Sequence, residues 1–431
     1  MSSLYSNVFH RIVSLTLLLA TLGISPGAVA GSLGDVLRAA LDHPAVLARN
    51  QQADAARTDV SAATAQYFGR ASVIADRTRF EGDRVVGFYV PGQSAPLLKD
   101  DRLTRYGVFY TLPVDVFGVI SAAREKAKNN LATSELLARQ ETLLRLHQAG
   151  NAYVRKLALQ AQAAALRIQR ERIEASTERV GKEVELGRSA GVDLLLAQSE
   201  LARLRADEAR LQGFVGETRA DLIDASGLDP DVRGEPIVVP KWTSLNADET
   251  LTVRLVDAKA RALEAGASEQ RRSLLPSFNL YADHFNNDGG GSGMNTWTLM
   301  ARMTIPLDAS AYLRSSAEGT RALAAEDDRR AALRSAEHQI NSLQSSYDSA
   351  LADAAALEKE IVYRDEVVNV DQEKWRLGSQ TLENLLRQRR DLLDAIYRLA
   401  DARARAAAAW SSAQVLAGTP PENYIAQWDT P

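Results

Sequence analysis

The chain has 431 residues, of which 45% are hydrophobic and 6% aromatic, and its 51 basic and 55 acidic residues give a formal net charge of -4. That near balance excludes a general basic surface for nucleic acid, so we expect no nucleic-acid partner. The absence of cysteine excludes disulfides, thiolate catalysis, cysteine-based zinc sites and lipid attachment through cysteine.

Residues 1–30 have the features of a secretory signal peptide. Arg11 precedes an apolar run at 12–24, and the small residues Ala28 and Ala30 follow it. A helix that spans a bilayer needs about 20 apolar residues, so this run is too short for one. We therefore expect cleavage after the small residues and export of the mature chain. Because no later apolar stretch approaches spanning length, any membrane segments of the mature protein must be strands.

The first half of the mature chain, 31–228, contains both helix and strand patterns. We predict helices at 33–66, 119–186 and 192–226, and strands near 70–80 and 104–113. The long segment at 119–186 has no proline, and as one helix it would extend about 100 Å at 1.5 Å per residue. That length exceeds the diameter of a compact domain several-fold and suits a protein that spans a distance.

The second half follows a linker rich in proline and glycine at 229–248. We predict a second repeat at 249–418 with helices at 249–273, 310–377 and 381–417 and strands near 276–286 and 296–306. A C-terminal tail at 419–431 completes the chain. YTLPVDVFG at 110–118 matches MTIPLDASA at 303–311, and GRSAGVDLLLAQSEL at 187–201 matches GSQTLENLLRQRRDL at 378–392. Similar offsets of both pairs in the same order indicate internal duplication.

Apolar residues at alternating spacings of three and four follow the second long helix of each half. This spacing predicts coiled-coil packing. Glu208 and Thr218 interrupt the seam in the first half, and Arg389 interrupts it in the second. An ordinary antiparallel coiled coil would explain the helices, but it would leave the strands without a role.

The predicted strands lie where the aromatic residues concentrate. Windows 67–117 and 278–312 contain 14 of the 26 aromatic residues, and both alternate between apolar and polar positions. The clearest alternation puts Trp297 and Leu299 on one face, whereas Arg77 and Arg79 make the first strand the weakest. Each strand has about ten residues, the length that a tilted membrane strand requires. The alternative is a small soluble sheet beside the coiled coil.

Four strands cannot close a membrane barrel, because the smallest such barrels have about eight. An open sheet would leave two unpaired edges, and hydrocarbon does not tolerate unpaired backbone groups. We therefore expect the protein to associate with copies of itself.

Several segments resemble one known family. They are AALDHPAVLARNQQADAAR at 39–57, LLPSFNLYAD at 274–283, the LP and IP dipeptides at the strand ends, and the glycine turns before VDLL and LENLL. In this order they resemble the TolC-like outer-membrane efflux channels over essentially the whole mature chain. The resemblance implies a mainly α fold with a β membrane portion: a homotrimer whose protomers each give four strands to one twelve-stranded β-barrel above an α-helical tunnel. It also implies outer-membrane lipid around the barrel, and a periplasmic adaptor protein and an inner-membrane transporter as partners.

The resemblance places the pore constriction in GSQTLENLLRQ at 378–388. The two acidic positions of the family fall on Asn384 and Arg387, its latching arginine falls on Gln380, and the first half keeps an aspartate at Asp193. An anionic double ring is therefore not expected. Three copies of Arg387 would instead make the constriction cationic, unless this side chain is solvated or forms a salt bridge between helices.

The same resemblance makes two turns face the adaptor. The residues concerned are Gly187, Arg188, Gly191, Gly378 and Ser379. We expect Gly187 and Gly378 to end the long helices in the left-handed conformation that glycine permits. Any helical hairpin needs such a turn, so this geometry does not require an adaptor.

The sequence has no catalytic signature: the five histidines are scattered, and HExxH, GxSxG, P-loop and dinucleotide motifs are absent. We therefore predict neither an enzyme nor a metal or cofactor site. The favoured function is a passive outer-membrane exit duct of a tripartite efflux or type I secretion system. A soluble periplasmic coiled-coil scaffold or adaptor is the alternative, and an exported helical enzyme has no residue set to support it.

Overall fold

The computed structural model describes residues 32–79, 81, 84–85, 97–98, 102–231, 236–289 and 292–429. The predicted signal peptide lies outside the described residues, and so does most of the predicted loop between the first two strands. Eight helices are described: α1 Leu33–Leu41, α2 Pro44–Ala65, α3 Val119–Glu185, α4 Gly191–Ser226, α5 Leu251–Arg272, α6 Ala309–Arg376, α7 Leu382–Ala417 and α8 Pro421–Asp429.

The helices of the two halves have matching lengths. α3 and α6 contain 67 and 68 residues, α4 and α7 contain 36 each, and α2 and α5 contain 22 each. At 1.5 Å per residue, α3 and α6 are each about 100 Å long. The helix predicted at 33–66 is divided into α1 and α2, and the His43 ring caps α2 by accepting a hydrogen bond from the Ala45 amide at 3.1 Å.

The four strands form one antiparallel sheet in the order β1-β4-β5-β6. Their bounds are β1 Arg70–Arg79, β4 Arg102–Val114, β5 Ser277–Gly289 and β6 Ser292–Thr304, while β2 Arg84–Val85 and β3 Leu97–Leu98 form a separate small ribbon. The two halves of the chain meet where β4 pairs with β5. Within the described sheet, β1 and β6 each have only one neighbouring strand, so both outer edges are open.

One face of this sheet is apolar and exposed. Residues paired across antiparallel strands lie on the same face, and the register aligns the apolar positions of all four strands. Val73 is 84% exposed and Leu299 is 72% exposed. The other large exposed apolar residues of this face are Tyr106, Val108, Val114, Leu280, Trp297 and Met303. From Tyr106 to Val114 the face extends about 27 Å along β4 at 3.4 Å per residue, or about 20 Å after the usual membrane tilt.

The opposite face of the sheet carries charged side chains together with aromatic rings, among them Phe109 and Tyr281 with ring centroids 5.7 Å apart. Arg105 forms an ion pair with Asp76 at 2.7 Å, and its guanidinium lies 4.6 Å from the centre of the Phe285 ring. Arg77 and Arg79, which weakened the prediction of β1, pair with Thr104 and Arg102 beyond the apolar rows. The two arginines therefore lie next to the connecting loop and do not interrupt the apolar face.

The helices bury two main clusters. One surrounds Trp410 near the middle of the long helices and includes Leu37 of α1, Tyr153 of α3 and Tyr424 of α8. The other follows α3, α4 and α7 and contains Ala197, Leu204 and Leu211 of the seam predicted for the first half. Thr218, which interrupts that seam, is fully buried. None of the described helices has a stretch long and apolar enough to cross a membrane.

The sequence predicted no helix in the C-terminal tail, yet α8 forms there. Pro421 opens it, and Tyr424, Ile425 and Trp428 are buried against the middle cluster. Nine residues are too few to display a helical period, so tertiary packing determines this helix.

Candidate functional site at the two helical turns

The turns after α3 and α6 have the same backbone geometry. Gly187 has a φ of 69° and donates to the Val184 carbonyl at 2.9 Å, while Gly378 has a φ of 76° and donates to the Trp375 carbonyl at 3.0 Å. In each case the next residue, Arg188 or Ser379, donates to the carbonyl one residue further back, that of Glu183 or Lys374. This is the left-handed helix ending predicted for both glycines. No atom lies within 4 Å of a Cβ built on either residue, so backbone conformation alone requires glycine here.

The two turns lie side by side at one end of the molecule. The Arg179 guanidinium of α3 is 4.9 Å from the centre of the Trp375 ring of α6. Val180 of α3, Ala197 of α4 and Leu382 of α7 share one buried cluster close to both turns. The segments that the sequence predicted as a constriction and as adaptor-facing turns are therefore neighbours in space.

Two of the four predicted constriction residues are directly connected. Thr381 caps α7 by accepting a hydrogen bond from the Asn384 amide at 3.3 Å. The Asn384 side chain donates to the Asp371 carboxylate at 3.4 Å and accepts a hydrogen bond from Arg387. Arg387 is exposed and makes no ion pair with a carboxylate of the described chain. A salt bridge between helices of one protomer is therefore not what holds it.

The other predicted residues lie close by in the turns. Asp193 is half-buried in the first turn of α4, and Gln380 is half-buried between α6 and α7. The described hydrogen bonds do not join either of them to Asn384 or Arg387.

The predicted turn residues Arg188, Gly191 and Ser379 are exposed. Each turn also presents an exposed leucine: Leu186 is 66% exposed and Leu377 is 82% exposed. Because each leucine precedes a left-handed glycine, the repeated Leu-Gly pair could have identified them.

Arg389, which interrupts the predicted seam of α7, is a buried cation. Its side chain is 2% exposed and donates to Ser176 of α3 at 3.2 Å and to Gln372 of α6 at 3.0 Å. Burial and the nearby Arg172 charge lower the pKa of Arg389 to about 10, so it remains charged at neutral pH. A charged residue at an apolar seam position was the signal for this site.

Glu200 connects α4 to α7. Its carboxylate is 4% exposed and accepts hydrogen bonds from Arg203 at 2.6 Å and from Arg390 of α7 at 2.9 Å. Burial alone would raise the pKa of Glu200, but the hydrogen bonds and charges of Arg203 and Arg390 lower it below its ordinary value.

This lowered pKa predicts a pH-dependent contact. The stabilisation from ionised Glu200 is fully present above the unfolded pKa of about 4.3 and is lost as the pH falls through the lower folded pKa. Glu200→Gln should therefore lower the free energy of unfolding by about 1–2 kcal/mol at neutral pH, and by much less near pH 3. Urea unfolding followed by circular dichroism measures this difference.

The matched control is Glu178→Gln, which removes a fully exposed carboxylate paired with Lys182. Surface pairs contribute little, so this variant should unfold like the wild type at both pH values. The assignment would be contradicted if the difference in free energy of unfolding between Glu200→Gln and the wild type were as large at pH 3 as at neutral pH.

Known proteins resemble this chain in structure rather than in sequence. No protein-family model matches the sequence, and no curated protein sequence matches it either. Among solved structures, the outer membrane protein VceC of Vibrio cholerae matches with a TM-score of 0.77 at 17% identity, over 90% of this chain and 96% of that one. The CmeC outer membrane channel of Campylobacter jejuni matches with a TM-score of 0.73 at 14% identity, over 92% and 89%. The open MtrE outer membrane channel of Neisseria gonorrhoeae matches with a TM-score of 0.73 at 15% identity, over 90% and 88%.

At these identities the likeness establishes the fold. The fold predicted from the resemblance to TolC-like channels, mainly helical with a four-stranded antiparallel sheet in each chain, is confirmed.

Proposed function

We propose that the protein is an outer-membrane channel, the passive exit duct of a tripartite efflux or type I secretion system. The observation that carries this proposal is the exposed apolar face that runs across all four strands. A large exposed apolar surface on one side of a sheet is typical of contact with a membrane or a partner. The fold shared with solved outer-membrane channels supports contact with outer-membrane lipid.

The proposed assembly is a homotrimer. The open edges of β1 and β6 carry backbone groups that hydrocarbon cannot satisfy, so sister copies must pair with both. Three copies would bring twelve strands into one closed barrel, as the resemblance implies. The long helices would then extend about 100 Å from the membrane into the periplasm.

The proposed partners bind at the far end of the helices. Leu186 and Leu377 expose apolar side chains in the two turns, where a periplasmic adaptor protein could cover them. An inner-membrane transporter would supply the energy, because the described chain offers no catalytic constellation of its own. Replacing both leucines by aspartate should abolish binding to the adaptor while the barrel still assembles; retained binding would contradict this contact.

The soluble scaffold or adaptor is not favoured. A soluble protein would expose the apolar face of the sheet, including Leu299, to water, which is unfavourable. An enzyme is not favoured either, because the fold is shared with solved outer-membrane channels.

The experiment that tests this function combines membrane fractionation with conductance. The protein should require detergent for extraction from the outer-membrane fraction, and the purified protein should produce discrete conductance steps in a planar bilayer. A protein that is released without detergent and conducts no ions would overturn the proposal.

We further propose that Asp193, Gln380, Asn384 and Arg387 line the constriction, with Arg387 giving it a cationic ring. Its guanidinium is exposed and forms no ion pair with a described carboxylate, which supports this role. Arg387→Ala should lower the anion-to-cation permeability ratio of single channels by roughly fivefold. Arg57→Ala is the matched control, because Arg57 is an exposed arginine of α2 that pairs with Glu135 of α3. Unchanged ion selectivity in Arg387→Ala would remove Arg387 from the constriction.

A further inference from the structure

A cleft of about 470 Å³ lies between α3, α6 and α7, above the two turns. Its walls are mainly apolar and include Ile168 of α3, Ile361 of α6 and Ile396 of α7. Two positive side chains, Arg172 and Arg389, also line it. The cleft therefore combines an apolar wall with two cationic side chains.

The cations in this cleft have no counterion within the described chain. Arg389 is buried, its two hydrogen-bond acceptors are the neutral groups of Ser176 and Gln372, and its Nε has no acceptor. Arg172 is exposed at the rim and also makes no ion pair with a described carboxylate.

The acidic groups of the cleft do not compensate for this charge. Asp365 and Glu366 of α6 line its rim, where both are exposed to solvent, and neither forms an ion pair with Arg172 or Arg389. A buried cation without a counterion is strongly unfavourable, and an anion that enters the cleft would relieve it. A carboxylate matches the donor geometry of a guanidinium best, since it can accept two parallel hydrogen bonds.

We propose that this cleft is a binding site for a small apolar carboxylate. The acid group lies between Arg389 and Arg172, and the apolar body packs on Ile168, Ile361 and Ile396. The inference goes beyond the proposed function, since such a site would exist whether or not the protein conducts ions. A carboxylate from a second copy of the chain is the rival occupant.

The probe for this site is 2-naphthoate, whose fluorescence anisotropy reports binding to the detergent-solubilised protein in an uncharged maltoside. The neutral analogue 2-naphthalenemethanol has the same ring system without the charge, and empty micelles give the background. We expect the dissociation constant of 2-naphthoate to be at least roughly tenfold lower than that of the alcohol, which is measured by competition. One charge-assisted contact can supply this difference.

Variants of the two arginines distinguish binding of the probe in the cleft from its non-specific association with protein or detergent. Arg389→Met should weaken 2-naphthoate binding at least roughly tenfold, and Arg172→Gln should weaken it several-fold. Arg167→Gln is the matched control, since Arg167 is an exposed arginine of α3 that does not line the cleft. It should bind like the wild type.

The variants can be interpreted even if one fails to fold. Replacing a buried charge by a well-packed apolar residue is often tolerated, and Arg172 is on the surface, so at least Arg172→Gln should yield folded protein. Equal affinity for 2-naphthoate and the alcohol, or unchanged affinity in Arg172→Gln, would overturn the proposal. Absence of 2-naphthoate binding to the assembled protein would overturn it in favour of a carboxylate from a second copy.

Discussion

Replacing Leu299 by arginine is expected to prevent stable insertion of the sheet into the outer membrane. Leu299 lies in the central row of the apolar face, paired with Ala282 on β5, which in turn pairs with Tyr110 on β4. An arginine at the bilayer midplane of a barrel costs about 2–4 kcal/mol, and a trimer incurs this cost in each copy. The amount of protein in the outer-membrane fraction, relative to total expressed protein, measures the effect.

The neighbouring residue provides the matched control. Thr298 points to the opposite face and pairs with Asp283 of β5, so an arginine there gains a nearby carboxylate. Thr298→Arg should reach the outer membrane at close to the wild-type level. Equal insertion of the two variants would show that the apolar face does not contact lipid.

Gly107→Ala is expected to separate the two hairpins. A Cβ on Gly107 would lie 2.0 Å from the His284 carbonyl oxygen and 2.7 Å from the Phe285 Cα, both in the backbone of β5. Because backbone atoms cannot move aside cheaply, β4 and β5 would have to part. We expect a loss of at least about 3 kcal/mol in the free energy of unfolding, at the upper end for point substitutions. The urea midpoint of the detergent-purified assembly measures it.

A glycine inside a helix provides the matched control for Gly107→Ala. Gly213 lies inside α4 with no atom within 4 Å of a Cβ built on it. Gly213→Ala should stabilise the protein by about 0.5–1 kcal/mol, since alanine favours a helix. If Gly107→Ala unfolds at the same urea concentration as the wild type, the close approach of β4 to β5 is wrong.

Local patterns were enough to predict the strands and their faces. The alternation that includes Trp297 and Leu299 determines which side chains share a face, because successive strand residues point in opposite directions. The pairing of β4 with β5 was not predictable, since it joins segments from different halves of the chain. Hydrophobic periodicity does not encode which strand becomes the neighbour of which.

The glycine turns were predictable from the sequence, whereas the partners of the buried polar side chains were not. Gly187 and Gly378 were predictable because a helix that ends in the left-handed conformation favours glycine locally. The contacts of Asn384 with Asp371 and of Arg389 with Ser176 depend on how whole helices are rotated about their axes. That rotation is set by packing along tens of residues, so single-sequence spacing could mark Arg389 as unusual but could not name its partners.

The number of copies in the detergent-purified mature protein tests the central proposal most directly. Native mass spectrometry should detect three chains held together, because the free edges of β1 and β6 need partners inside lipid. A homogeneous single chain that stays dissolved in buffer without any detergent would contradict the channel.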